Sequence, residues 1–279
     1  MAYKTILVHA DQSKHAPERI RVAAALAVAE GAHLVGAALS GISGAIYQAD
    51  AVDLTGAILA GRINTEMDHA RTALAQFESL AKAAGVNTYE SRLLNDDPQG
   101  GLSLQARYSD LVVLSQCDLD EGRTRIIPDL PEYVVLNSAR PVLIVPYAGH
   151  FPSVGKRALV AWDGSMESTR ALTNALPLLR RADNVALALF NPSKRQGVHG
   201  ELPGADIALV LARHGVKVEV LPQHTDIDVG NALLSLASDQ DSDLIVMGGY
   251  GHSRFREMLL GGVTKTVLQT MTVPVLMSH

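Results

Sequence analysis

Lys4-Thr-Ile-Leu-Val-His-Ala-Asp11 and Lys156-Arg-Ala-Leu-Val-Ala-Trp-Asp163 are two short apolar runs, each opening on a lysine and closing on an aspartate, 152 positions apart. Further along, Asp110-Leu-Val-Val-Leu114 answers Asp243-Leu-Ile-Val-Met247, and Arg140-Pro-Val-Leu-Ile144 answers Val273-Pro-Val-Leu-Met277, both 133 positions apart. Self-similarity over this distance means two copies of one folding unit. The first copy is the longer by 19 residues. Gly85 and Gly215 already stand 130 apart, which places the extra segment upstream, around Gly44–Asn64, as a loop or lid insertion.

Within each copy, buried runs alternate with helical periodicity. In the first, strands are predicted over 6–10, 33–39, 87–93, 111–115 and 142–145, with helices over 17–30, 102–108 and 132–138. Met67, Ala70, Leu74, Phe77 and Leu80 recur at helical spacing and give a long helix stopped at Gly85. Strands alternating with helices imply right-handed crossovers and a parallel sheet covered on both faces. The predicted fold class is therefore α/β: two tandem doubly wound α/β sandwiches, each with a mainly parallel five-stranded sheet. The boundary is expected in the Gly- and Pro-bearing stretch 147–155, giving domains 1–149 and 150–279.

The whole-chain numbers agree. At 279 residues, 47% hydrophobic and 19% charged, with mean hydropathy +0.13, the chain can fill two cores and is too apolar for disorder. Aromatics at 4% favour small-residue packing between helices and sheets. A net charge of −5 argues against nucleic-acid and membrane-surface partners. One cysteine, Cys117, excludes an intrachain disulfide and points to a reducing, cytoplasmic setting. The N-terminal apolar run is too short for a signal peptide, and Val22–Ala29, flanked by Arg21 and Glu30, is too short to span a bilayer.

Ligands of open α/β sheets bind beyond the carboxyl ends of the strands. The stretch after Met247, from Gly248 to Gly262, holds five glycines, which let backbone N–H groups turn toward an anion. Val263–Thr270 can supply a helix N-terminus behind it. Arg254, Arg256 and Lys265 against Glu257 make 248–265 locally +2. The loop is neither a dinucleotide fingerprint nor a P-loop, because Arg254 and Thr264 stand where those patterns need glycine. At the 133-residue offset, Gly248, Gly251, Gly261 and Gly262 become Ser115, Asp118, Pro128 and Asp129, and 115–132 carries −3. The first copy is expected to bind no nucleotide, because like charges a few ångströms apart repel. The histidines match no metal-site pattern, and no metal site is assigned. Cys117 beside Asp118 is not expected to be a nucleophile, and no catalytic residue is assigned.

With both halves included, the chain resembles a tandem universal stress protein: Gly248, Gly251 and Gly261 fit the G-x2-G-x9-G of the family's nucleotide-binding members. The resemblance implies that the C-terminal copy holds ATP or another adenylate, with Mg as an accompanying ion. It places phosphates against Met247, Gly248, Tyr250, Gly251, His252, Arg254 and Gly261, and adenosine near Ala161, Trp162, Asp163 and Leu189. Gly262 stands where the family has Ser or Thr, leaving the Gly262 and Val263 amides and the Thr264 hydroxyl to take over. Asp163, before Gly164-Ser165, equally suits an Asx turn or helix cap. The expectation is a stress-response protein using the nucleotide as a regulatory or structural ligand. Its two halves would form an intrachain pseudo-dimer through their final strands, with further pairing giving a homodimer. The alternatives are a slow Mg-dependent ATP hydrolase, using Arg254 and His252, and a nucleotide-free scaffold.

Overall fold

The computed structural model describes residues 2–41, 56–118, 120–121, 129–194, 202–250 and 262–279. They divide into two units, Tyr3–Arg140 and Pro141–His279, the latter taking in Ala2 as well.

In the first unit, strand β1 (Thr5–His9) leads through helix α1 (Ala16–Glu30) to β2 (His33–Leu39). Helix α2 (Gly56–Ala83), β3 (Tyr89–Leu94), α3 (Pro98–Ala106), β4 (Leu111–Ser115) and α4 (Leu130–Asn137) follow. The strands lie in the order β3-β2-β1-β4, with β1 parallel to both β2 and β4. The chain reverses its direction of travel across the sheet at β1, which opens a crevice at that strand's carboxyl end. Residues 56–64, expected within a loop or lid, instead form the first turns of α2. Gly56-Ala-Ile-Leu-Ala-Gly-Arg62 contains no proline and several strong helix formers, so nothing stops the helix from growing backward from 67–80. The rest of the inserted stretch, 42–55, lies outside the described residues.

Packing between α2 and the sheet depends on one small residue. A Cβ at Gly36 would fall 2.4 Å from the Phe77 ring, so the ring lies directly on the β2 backbone. Phe77 also meets Tyr89 edge-on, with ring centroids 6.1 Å apart. Ala16, Ala23, Ala24 and Ala27 form much of the buried face of α1, letting that helix approach the sheet closely.

The second unit opens with β5 (Val142–Val145) and β6 (Arg157–Ala161), followed by α5 (Met166–Leu179), β7 (Asn184–Phe190) and α6 (Ala205–Arg213). It closes with β8 (Glu219–Gln223), α7 (Val229–Asp239), β9 (Leu244–Gly248), α8 (Val263–Thr270) and β10 (Val275–Ser278). The strand order is β5-β10-β9-β6-β7-β8, all parallel except β5, which runs antiparallel to β10 with Leu143 opposite Leu276. Here the direction of travel reverses at β6. Ile6 pairs with Leu111 and Ala158 with Leu244, so β1–β4 and β6–β9 share one register at the two sequence offsets. Asp110 accepts the N–H groups of Lys4 and Thr5, and Asp243 those of Gly155, Lys156 and Arg157, so each aspartate ties two strand starts together.

Candidate functional site

In the second unit, three chain segments meet at the carboxyl ends of β6 and β9. The Trp162 N–H donates to the Ala188 carbonyl at 2.9 Å, which extends the β6–β7 pairing one step beyond the strand. Asp163 Oδ1 accepts the Ser165 N–H at 3.0 Å and its hydroxyl at 2.6 Å. Ser165 in turn caps α5 by accepting the Ser168 N–H at 3.1 Å. Asp163 thus makes the Asx turn the sequence allows, and this holds the β6–α5 corner in shape. Ala161, Trp162 and Asp163 are half-buried. The Leu189 side chain is buried, and its backbone pairs with Pro222 of β8.

At the end of β9, Met247 is buried, and Gly248 sits where a Cβ would come 2.6 Å from the Ser168 amide nitrogen. Glycine is required there for packing alone, since the first turn of α5 lies against the strand end. The Gly249 N–H donates to the Ser278 carbonyl, and the Gly249 carbonyl lies 3.0 Å from His279 Nδ1. Tyr250 adopts φ +57° and donates its N–H to Thr264 Oγ1 at 3.2 Å, linking β9 to the start of α8. Thr264 is buried. With its oxygen accepting from Tyr250, its hydroxyl proton remains available to another acceptor.

Helix α8 begins at Gly262, which has extended backbone angles (φ −67°, ψ 174°) and no side-chain cap. The Gly262 carbonyl takes the N–H groups of Lys265 and Thr266, which leaves the helix to open on main-chain amides at its positive end. Of the sequence-derived site, Ala161, Trp162, Asp163, Met247, Gly248, Tyr250, Gly262, Val263 and Thr264 cluster at the strand ends and the α8 start. Gly251, His252, Arg254 and Gly261 lie outside the described residues.

The matching corner of the first unit is built from different chemistry. The Arg19 side chain is fully buried: Nε donates to the His9 carbonyl at 2.8 Å, Nη1 to Ser115 Oγ at 2.7 Å and Nη2 to Asp11 Oδ1 at 2.9 Å. Ser115 is the counterpart of Gly248. Burial pushes the Asp11 carboxyl up, but Arg19, His9 and the Ser13 hydrogen bonds outweigh it and hold Asp11 well below the usual carboxylate range. Asp118, the counterpart of Gly251, is buried and lies 2.7 Å from Lys14 Nζ and 2.8 Å from His15 Nε2. Hydrogen bonds from Lys14 and His15 lower its pKa to about 2. Glu121 accepts the Lys14 N–H and lies 3.7 Å from His15, so the loop after β4 is fastened to the loop after β1.

A cavity of about 50 Å³ remains between these loops, room for one or two waters rather than a phosphate chain. His15, Asp118 and Glu121 bring ligand atoms within 4.8 Å of one another, but Lys14 already occupies Asp118 Oδ2. Cys117 is half-buried, with its thiol pKa raised by burial and then by Glu132, Asp129 and Asp118. Sequence reading missed Arg19, Lys14 and His15. Arg19 carried a signal, since it falls on the same helical stripe as Ala16 and Ala23, a face otherwise apolar.

Residues 155–279 match the profile of the Universal stress protein family. The universal stress protein Slr1230 of Synechocystis sp. is 27% identical over 147 residues, 52% of this chain and 49% of that protein. The chain thus spans about half the length of this curated relative. Among solved structures, a universal stress protein from Archaeoglobus fulgidus DSM 4304 superposes with TM-score 0.75 at 17% identity, covering 98% of this chain and 95% of that one. Protein PA1789 of Pseudomonas aeruginosa PAO1 gives 0.61 at 15% identity, over 99% and 92% of the two chains. The fold over the whole chain is that of universal stress proteins, and residues 155–279 carry a domain of that family. No helix among the described residues is long and apolar enough to cross a membrane.

Proposed function

We propose that the chain is a cytoplasmic stress-response protein built from two copies of one module. In this reading 150–279 binds ATP or a related adenylate as a regulatory or structural ligand, and 1–149 is a degenerate copy that binds none. The observation that carries the reading is the opening of α8 at Gly262 without a side-chain cap, directly after a strand end and a glycine-rich loop. Amides of Gly262 and Val263, the Thr264 hydroxyl and the helix dipole would meet phosphate oxygens, with Gly251, His252, Arg254 and Gly261 closing around them. Asp163, Ala161, Trp162 and Leu189 would border the adenosine, and Mg would accompany the phosphates as a counter-ion. In this reading the ligand is bound as a regulatory or structural group rather than turned over. The two halves would act as a pseudo-dimer, and two chains could associate further as a homodimer.

Calorimetric titration of ATP into wild type and Gly251→Asp tests the site. Binding by wild type and its loss in the variant is the expected outcome. Equal binding by the two proteins would remove the glycine loop from the account.

A further inference from the structure

At the carboxyl ends of β1 and β2, beside α2, the first unit holds a cavity of about 500 Å³, within the range of small-molecule sites. Leu39, Ala70, Ala73 and Pro98 supply an apolar wall. Asp11 and Glu66 line it as carboxylates, and among the described lining residues there is no lysine or arginine.

Most side-chain donors at this cavity are already engaged. The Ser13 hydroxyl donates to Asp11 at 2.7 Å, and the buried Ser40 hydroxyl donates to Asn95 Oδ1 at 2.9 Å. Gln12 Nε2 donates to the His69 carbonyl. Four main-chain donors are spent as well, Ala10 N–H on Ala37, Ser13 on Asp11, Ser40 on Leu94 and Gly41 on Asp96, while the Asp11 and Gln12 N–H groups have no partner among the described residues. His9 is 4% exposed, and its Nδ1 lies 3.4 Å from Asp11 Oδ2, so the carboxylate favours the proton on that nitrogen. Nε2, which makes no hydrogen bond among the described residues, is left as a lone-pair acceptor. Burial lowers the His9 pKa to about 4, which keeps the ring neutral at physiological pH. Among the described lining groups the acceptors are the Glu66 and Asp11 carboxylates, hydroxyl lone pairs and His9 Nε2, although Asp11 is already paired with Arg19 at 2.9 Å. The His69 ring, 3.5 Å from Glu66, and the Asp11 and Gln12 N–H groups are the donors left, so Glu66 and His9 Nε2 are the acceptors with most to offer.

We infer that this cavity is a binding site for a small organic ammonium ion with an apolar body, which it prefers to an anion of the same shape. The ammonium would donate toward Glu66 and His9 Nε2, while its hydrocarbon part lies on the Leu39, Ala70, Ala73 and Pro98 wall. This inference does not rest on nucleotide binding by the second unit.

Calorimetric titration of the full chain with phenethylamine and with phenylacetate, near-isosteric probes of opposite charge, tests it. Glu66→Lys is the diagnostic variant, because Glu66 is half-exposed on α2 and its ion-pair neighbour, His69, lies one turn along the same helix. Asp68→Lys is the control, making the same charge change two residues along the helix at an exposed position outside the cavity. Phenethylamine should bind wild type at millimolar concentration and phenylacetate should not. Glu66→Lys should weaken the amine by about tenfold or more, and Asp68→Lys by no more than about twofold. Binding of phenylacetate as tight as that of the amine, no amine binding at millimolar concentration, or equal effects of the two variants would each overturn the inference.

Discussion

His9, Asp11 and Arg19 fill the strand-end corner of the first unit with internal hydrogen bonds. The guanidinium of Arg19 reaches the β1 carbonyl end, Asp11 and Ser115 together, so the space below the first crevice is filled by a satisfied ion pair. The neutral His9 beside it makes a pH prediction. Its folded pKa is about 4 against an ordinary 6.5, chiefly because burial disfavours the charged ring. Between those values the unfolded chain takes up a proton that the folded one refuses, so stability is full above pH 6.5 and falls as pH drops toward 4. The loss approaches about 3 kcal/mol at the lower end. Urea unfolding at a series of pH values should show this slope in wild type and not in His9→Gln, whereas parallel curves would contradict it. Asp118 contributes in the same direction at lower pH, its stabilisation being lost as pH falls from 3.8 through about 2.

At the scale of elements, α8 is where sequence and structure agree most closely. Its bounds, Val263–Thr270, follow from a glycine stop before and the Val273-Pro274 pair after. Buried strands were equally legible: β2, β4 and β5 fall where their continuous apolar runs place them, because a strand covered on both faces has no polar positions to blur its ends. The backward extension of α2 was not legible from core periodicity, since a helix can continue past the residues that pack. Nor were the Lys14, His15 and Asp118 contacts, which join residues about a hundred positions apart and leave no local pattern. Of the site, the Asp163–Ser165 turn and the glycine start of α8 were readable, while the packing need for Gly248 emerges only when α5 is seen against β9. Gly262 gives this scale its prediction. Its extended conformation accepts serine without strain, and Gly262→Ser would add a cap hydroxyl worth a few tenths of a kcal/mol to the helix. Under the nucleotide account that hydroxyl also reaches a phosphate, and a hydrogen bond to a charged group should tighten ATP by about tenfold. Unchanged ATP affinity in a variant with a raised melting temperature would separate the cap from the ligand.

For the whole molecule, one chain carries two units with the same β1–β4 and β6–β9 register and different side chains at the strand ends. In the second, Gly248 lies against the first turn of α5 and α8 opens at Gly262 without a side-chain cap. In the first, Arg19, Asp118, Lys14 and His15 have satisfied one another, and the neighbouring cavity presents acceptors. A duplicated fold can diverge in this way at low cost, because the strand register that sets the core does not depend on the loops beyond it. Native mass spectrometry of the full chain with saturating ATP reads the asymmetry directly. The account predicts one nucleotide per chain in wild type and none in Gly251→Asp. Two per chain, or one retained by the variant, would contradict it.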